Sequence, residues 1–422
     1  MGLPLVLIYI ALNLLSPAEI VPVLAPFRPM LILALINVPL AVLGRLQAPE
    51  VGKLRTQFTL VLLFLGFACV AMLPHRMIGA NLTTFLNLAP NVLAYFLVIL
   101  SVRTPGRLRL LRTVLVVVAI FVLVNAILEL PFALSAGVNT PYVLIQNPMS
   151  PNMSGRIRGL GMLNDPNTFG QYILLILPML FVAKRDTGLG IGWLATIPIS
   201  ILFVVAVFLT GSRGALLGFL VVVGLFLVRK LRTTGAIITT AFGGLGLLVA
   251  QAYYSRSISL QGGMDRLAIW SDGLSYFKSQ PLWGIGPFTF TNQFGMTAHN
   301  SYLLVAAEMG FIGYFLWLSI IVVTFFQLSR VPQIVGKSNP ELARWAVALR
   351  ISLGGYMFTS FFLSRSYELP LWMLLGMAGG VIIAAGGDDA IPLRGTMWPL
   401  WSAILCVGVL GLIYIMLRLR FA

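Results

Sequence analysis

Acidic and histidine side chains are scarce in this chain, with twelve Asp and Glu and two His among 422 residues. Only 9% of the residues are charged, whereas a soluble domain carries about 25%. The two cysteines, Cys69 and Cys406, both fall inside apolar runs. A disulfide framework and a thiolate metal site are therefore not expected. There is no His-Glu-x-x-His helix and no acidic ligand set, so no catalytic metal is expected. No glycine-rich phosphate loop follows a strand, which argues against use of ATP, and no cofactor is expected. No stretch is polar enough over its length to form a separate soluble domain, so residues 1–422 read as a single integral-membrane domain.

What is present is hydrocarbon. Of the residues, 59% are hydrophobic, arranged in repeated runs near the roughly 20 residues that an α-helix needs to cross a bilayer. The reading is an all-α polytopic membrane protein. The net charge of +16 does not point to nucleic acid, because most of the basic residues lie in short loops between apolar runs, where they set topology. The first run, 3–15, has no basic leader and no small-residue cleavage site, so it reads as a retained span.

Expected spans follow at 30–44, 57–74, 88–102, 113–133, 167–183, 190–210, 214–228, 235–252, 301–327, 345–363, 369–386 and 397–417. The count is about twelve transmembrane helices, or thirteen with the last run, 397–417, included. The cluster Arg103, Arg107, Arg109 and Arg112 marks a cytoplasmic loop. The link SPAEIVPVLAPFRP reads as a break or two half-helices. Residues 134–166 form a long Pro/Gly/Asn-rich outer segment, and Asp165-Pro166 supplies a cap and first turn for the next helix. With this threading Arg156, Arg158, Arg213, Arg266 and His299 share the outer face. Basic residues are disfavoured there by topology, so each needs a reason.

The polar segment 253–300 is the expected catalytic loop. Leu267, Trp270, Leu274 and Phe277 recur at helical spacing around Arg266, giving a short amphipathic helix on the membrane surface. The turn Pro281-Leu282-Trp283-Gly284-Ile285-Gly286 ends it. Arg266 either snorkels to lipid headgroups or binds substrate. Arg213 sits in a tight turn between two spans and calls for an anionic partner. The outer arginines outnumber the outer carboxylates, which implies an anionic ligand; a two-pronged guanidinium suits phosphate, and a pyrophosphate at headgroup level fits best. His299 precedes Asn300-Ser301, a helix cap, and is either structural or a general base. Glu308 lies nine residues on, on the opposite helix face from His299. Trp270, Trp283, Phe288 and Phe290 either stack on sugars or anchor at the interface.

These features have an order. Arg158 with Gly161 comes first, followed by Pro166-Asn167. Ser212-Arg213-Gly214 comes next, then Arg266 and Trp270 ahead of the Pro-Leu-Trp-Gly-Ile-Gly turn. His299-Asn300-Ser301-Tyr302 is last, with Glu308, Gly310 and Gly313 behind it. The order resembles the O-antigen ligase and O-antigen polymerase superfamily, closely over about 150–315 and by span pattern elsewhere. The resemblance implies a C-type glycosyltransferase of the bacterial inner membrane, working at the periplasmic face without metal or nucleotide. Its donor would be an undecaprenyl-pyrophosphate-linked oligosaccharide. Catalytic roles fall on Arg213, Arg266 and His299. Arg158 carries over from the R-x-x-G motif as a substrate-binding candidate, joined by Arg156, Trp270, Asn300 and Tyr302. The external loop between Arg266 and His299 is shorter than in typical ligases, and an extra apolar run follows at the C-terminus. The expected reaction is polymerisation of O-antigen or exopolysaccharide repeat units. The alternative acceptor is lipid A–core, making a lipopolysaccharide ligase. A lipid-linked sugar transporter or flippase is a third reading, though the midplane polar breaks and repeats of transporters are not apparent. Partners would be the donor, the glycan or lipid A–core acceptor, membrane lipid, and a chain-length regulator and flippase of the same pathway.

Overall fold

The computed structural model describes residues 2–27, 29–46, 49–75, 78–146, 153–182, 191–229, 231 and 261–421. The expected span at 235–252 lies outside them. The helices are α1 (Leu3–Leu15), α2 (Pro17–Ile20), α3 (Pro29–Leu46), α4 (Arg55–Val70), α5 (Ile78–Ser101), α6 (Pro105–Ala136), α7 (Pro166–Leu180) and α8 (Ile191–Leu209). Next come α9 (213–229), α10 (Gln261–Ser279), α11 (Phe290–Phe294), α12 (Ser301–Val335), α13 (Pro340–Thr359), α14 (Leu369–Ala384), α15 (Gly387–Ala390) and α16 (Trp398–Phe421). Four of them contain stretches long and apolar enough to cross a membrane: Leu82–Ser101, Pro105–Ala136, Ser301–Val335 and Trp398–Leu419. Shorter apolar helices accompany them, a pattern consistent with a polytopic membrane protein.

The chain divides into two compact units. The first comprises Met1–Gln47, Leu100–Ser257 and Val335–Thr359; the second comprises Ala48–Ile99, Ile258–Ile334 and Ser360–Ala422.

In the first unit α7 is the core, buried along nearly its whole length. It starts as the cap chemistry dictates. Asp165 Oδ1 accepts from the Asn167 amide at 3.3 Å, with Pro166 in the first turn. Buried polar groups then bind it to its neighbours. Gln171 donates to Thr359 Oγ1 at 2.8 Å, Ser352 to the Leu175 carbonyl at 2.7 Å, and Tyr172 to the Leu115 carbonyl at 3.0 Å. Hydrocarbon offers no competing water, so each of these groups needs such a partner. The Pro/Gly/Asn-rich segment 134–166 contains a pair of strands. Strand β1 (Val143–Gln146) pairs antiparallel with β2 (Ser154–Ile157), Arg156 facing Leu144 in the register.

In the second unit α14 is the buried core helix. Gly376 and Gly379 let it approach closely: an added Cβ would stand 2.9 Å from the Tyr95 carbonyl oxygen and from Gln57 Oε1 respectively. Gln57 donates to Thr324 Oγ1 and accepts from Tyr95 at 3.2 Å. Asp388 on α15 accepts from the amide and hydroxyl of Thr56, both at 2.9 Å, and from Gln327 at 2.7 Å. It thereby caps the positive end of α4. Beside it Arg55 pairs with Asp389.

Candidate functional site

The candidate residues are divided between the units. Arg156, Arg158 and Arg213 belong to the first, and Arg266, Trp270, His299, Asn300 and Tyr302 to the second.

In the first unit Arg156 projects from β2. Its Nε donates to the Thr210 carbonyl at 2.7 Å and its Nη2 to Asn167 Oδ1 at 3.1 Å. The guanidinium therefore joins the hairpin, the start of α7 and the turn between α8 and α9. Gly211 makes that turn at φ +57, with the Arg156 side chain lying directly over it. The sequence offers no sign of this, because residues 156 and 210 are far apart in the chain. Arg158 donates to the carbonyls of Asn164 at 3.3 Å and Thr140 at 2.9 Å, holding the ends of the segment together. Three residues on, the Gly161 amide donates to Glu19 at 2.9 Å, and Gly161 packs against Ser16 at φ +53. Glu19 therefore serves the R-x-x-G segment, a pairing that spans 142 residues.

Arg213 opens α9 and is exposed. Ser212 precedes it, accepting from the Ala215 amide at 3.1 Å. A cation in the first turn of a helix opposes the dipole, which favours anions there. A helix N-terminus with a guanidinium beside it is a place where negative charge is stabilised.

In the second unit α10 carries Arg266, exposed, near its start. The apolar face of this helix, expected to lie on the membrane surface, is covered by protein. Trp270 and Leu274 are buried with Leu303, Ile413 and Leu417, so α10 packs against α12 and α16. Trp270 is only 5% exposed. Its ring meets Phe361 edge-on at 5.5 Å, and its Nε1 donates to the Ala298 carbonyl at 2.9 Å. It thus fixes the residue before His299. At Gly273 a Cβ would come within 3.1 Å of Leu303 and Phe290, which explains a glycine in mid-helix.

His299 is half-buried and has φ +48, a left-handed conformation that a residue with a Cβ adopts only when its surroundings impose it. Both flanks do so. Trp270 holds Ala298, while Asn300 Oδ1 accepts from the amides of Tyr302 and Leu303, each at 3.0 Å, as the cap of α12. Ser301 donates from its amide to the Ser360 carbonyl at 2.8 Å and from its hydroxyl to the Leu363 carbonyl at 2.6 Å, and its hydroxyl accepts from the Arg365 amide at 2.9 Å. Tyr302 packs edge-on to Trp317 at 5.5 Å. Asn300 Nδ2 is buried and makes no hydrogen bond among the described residues.

The expected continuous span 301–327 is instead broken at Gly310 (φ 59, ψ −166). The Pro281–Gly286 turn fills the break. The amides of Ile285 and Gly286 donate to the carbonyls of Ala307 and Glu308 at 2.9 and 2.8 Å, and the Phe311 amide donates to the Pro281 carbonyl at 2.7 Å. Every backbone group released by the break must find such a partner in an apolar setting. The two backbones touch: a Cβ on Gly284 would overlap Glu308 and Gly310, and one on Gly310 would overlap Leu282 and Trp283. Glu308, 2% exposed, accepts from the Phe290 amide at 3.0 Å. The amides of Phe288 and Thr289 and the Tyr367 side chain surround the same carboxylate. Glu308 thus holds the turn in place. Its role was hidden in the sequence because its partners lie about twenty residues upstream.

Among the described residues no three His, Cys, Asp or Glu side chains gather in a way that would hold a metal ion.

The architecture is that of a helical, apolar protein with polar machinery concentrated at helix junctions. Residues 198–318 match the family model described as O-antigen ligase. The matched region holds Arg213, Arg266, His299, Glu308 and Gly310, and the match supports the O-antigen ligase and polymerase superfamily. Arg156 and Arg158 lie outside the match. A search of curated proteins finds no match. The family supports glycan transfer of the ligase or polymerase type and a place in polysaccharide or lipopolysaccharide biosynthesis.

Proposed function

We propose that the protein is a metal-independent glycosyltransferase of the bacterial inner membrane. It takes a glycan from an undecaprenyl-pyrophosphate donor at the periplasmic face and passes it to the next lipid-linked repeat unit. The observation that carries this reading is the family match over 198–318, which contains Arg213, Arg266 and His299. An acceptor hydroxyl attacks the anomeric carbon, a new carbon–oxygen bond forms, and the bond to the pyrophosphate oxygen breaks. His299 takes the hydroxyl proton as general base. Arg213 and Arg266 stabilise the charge that gathers on the departing pyrophosphate. Asn300 Nδ2 is a donor available for a sugar oxygen. Trp270, Tyr302, Arg156 and Arg158 act through positioning, to judge from the contacts they make.

Polymerisation is favoured by the short segment between Arg266 and His299, which holds the rest of α10, the turn and the five-residue α11. Transfer to lipid A–core or another terminal acceptor is the second reading, favoured by the description of the matching family. The test is reconstitution of the purified protein with the lipid-linked repeat unit alone. Ladders of lengthening lipid-linked chains establish a polymerase. Transfer that begins only when lipid A–core is added establishes a ligase. No glycan transfer with either acceptor would refute both.

A further inference from the structure

The second unit carries a feature that the glycan chemistry does not use. Its last helix, α16, lies beyond the family match at 198–318, and its C-terminal half packs against α10 through Ile413 and Leu417. Leu303, in the first turn of α12, joins the same cluster. The three helices do not close completely. An apolar groove of about 310 Å³ remains between them, walled by Phe277 of α10, Phe311 of α12, and Val407 and Leu410 of α16. Gly411 also lines it, and a Cβ there would meet nothing within 4 Å. The gap therefore owes part of its room to a missing side chain. One wall differs in character. Lys278 lines the groove, and its Nζ stands over the Tyr414 ring at 5.3 Å. Arg418, one turn further along α16, lies over the same ring at 5.3 Å, and its Nε donates to the Tyr414 hydroxyl at 2.9 Å. Both cations are exposed. Neither has a carboxylate partner among the described residues. A single aromatic ring draws both cations to one place, but it is a neutral partner and leaves their charge uncompensated.

We infer that this groove is a binding site for an anionic glycerophospholipid, with an acyl chain along Phe277, Phe311, Val407 and Leu410 and the phosphate at Lys278 and Arg418. A cation on an apolar helix surface calls for an anion, and a lipid phosphate supplies the charge that Tyr414 lacks. The apolar lining selects a hydrocarbon tail. The site is separate from the place where the donor pyrophosphate would meet Arg266. Lys278 lies twelve positions further along α10, about 18 Å away at the helical rise. The groove is also built on α16, which the matched family region does not include. The inference does not depend on the glycan-transfer reading.

The test uses the full-length protein, purified and delipidated in mild detergent, with added lipid counted by native mass spectrometry. Wild type should retain phosphatidylglycerol in preference to phosphatidylcholine of the same acyl chains. Lys278→Gln with Arg418→Gln should lower phosphatidylglycerol retention about tenfold or more. Lys278→Arg with Arg418→Lys should keep it, which separates charge from folding damage. Gly411→Phe, which fills the groove, should lower retention with both cations intact and the unfolding temperature unchanged. Equal retention of the two lipids by wild type would overturn the inference. So would undiminished retention by Gly411→Phe, or a charge-keeping pair as deficient as the double Gln variant. Displacement of phosphatidylglycerol by inorganic phosphate alone, or by undecaprenyl phosphate at lower concentration, would overturn it as well.

Discussion

The helices α6 and α12 are similar in length and apolarity, yet they are built differently. Helix α6 is closed by local chemistry at both ends. Thr104 accepts from the Arg107 amide, Pro105 fills the first turn, and Gly137 ends the helix at φ +64 with Val138 donating back to the Ala133 carbonyl. Much of its surface is exposed hydrocarbon, Leu128 at 72% for instance. Helix α12 is more buried, is anchored at its start by Asn300 and Ser301, and gives up its own ladder at Gly310 to a turn from elsewhere in the chain. The comparison teaches that length and hydropathy identify a span but not its task. The helix with a broken ladder and a buried carboxylate is the one next to His299.

Breaking the comparison tests it, and the largest effect should come at the break itself. Gly310→Val places a branched side chain in a glycine-only backbone region and against the Leu282 carbonyl. A loss of roughly 3 kcal/mol or more is expected, seen as aggregation or a collapsed thermal transition in detergent. A well-folded Gly310→Val protein would mean that α12 runs straight. Glu308→Ala comes next. It strands the amides at 288–290 and should cost about 1–3 kcal/mol. Glu308→Gln keeps an acceptor and should lose less, as thermal unfolding of the pair would show. Arg156→Lys cannot reach both the Thr210 carbonyl and Asn167 with the same fork, so a loss of about 1 kcal/mol is expected. Leu128→Ala on α6 should change stability by no more than about 0.5 kcal/mol. A larger effect there would show that α6 has a partner beyond lipid.

Where structure follows from neighbouring residues, the sequence was readable. Asp165-Pro166 starts α7, Pro281 follows the end of α10, and Asn300 caps α12, because each depends on groups a few positions away. The family match spans Arg213, Arg266 and His299. The hairpin around Arg156 was not readable, because four-residue strands in a Pro/Asn-rich segment have little periodicity and are fixed by carbonyls at 140, 164 and 210. The break at Gly310 was hidden by hydropathy that continues through it. The burial of Trp270 was hidden because an amphipathic face looks the same whether lipid or α16 covers it.

The central claim is that His299 carries proton transfer on a rigid mount built by its neighbours. The most direct measurement is the rate of glycan transfer by purified His299→Ala beside wild type, with the unfolding temperature of each in the same detergent. The account predicts a fall of about 100-fold or more with the transition temperature unchanged within error. A His299→Ala protein that folds and transfers glycan at the wild-type rate would contradict it.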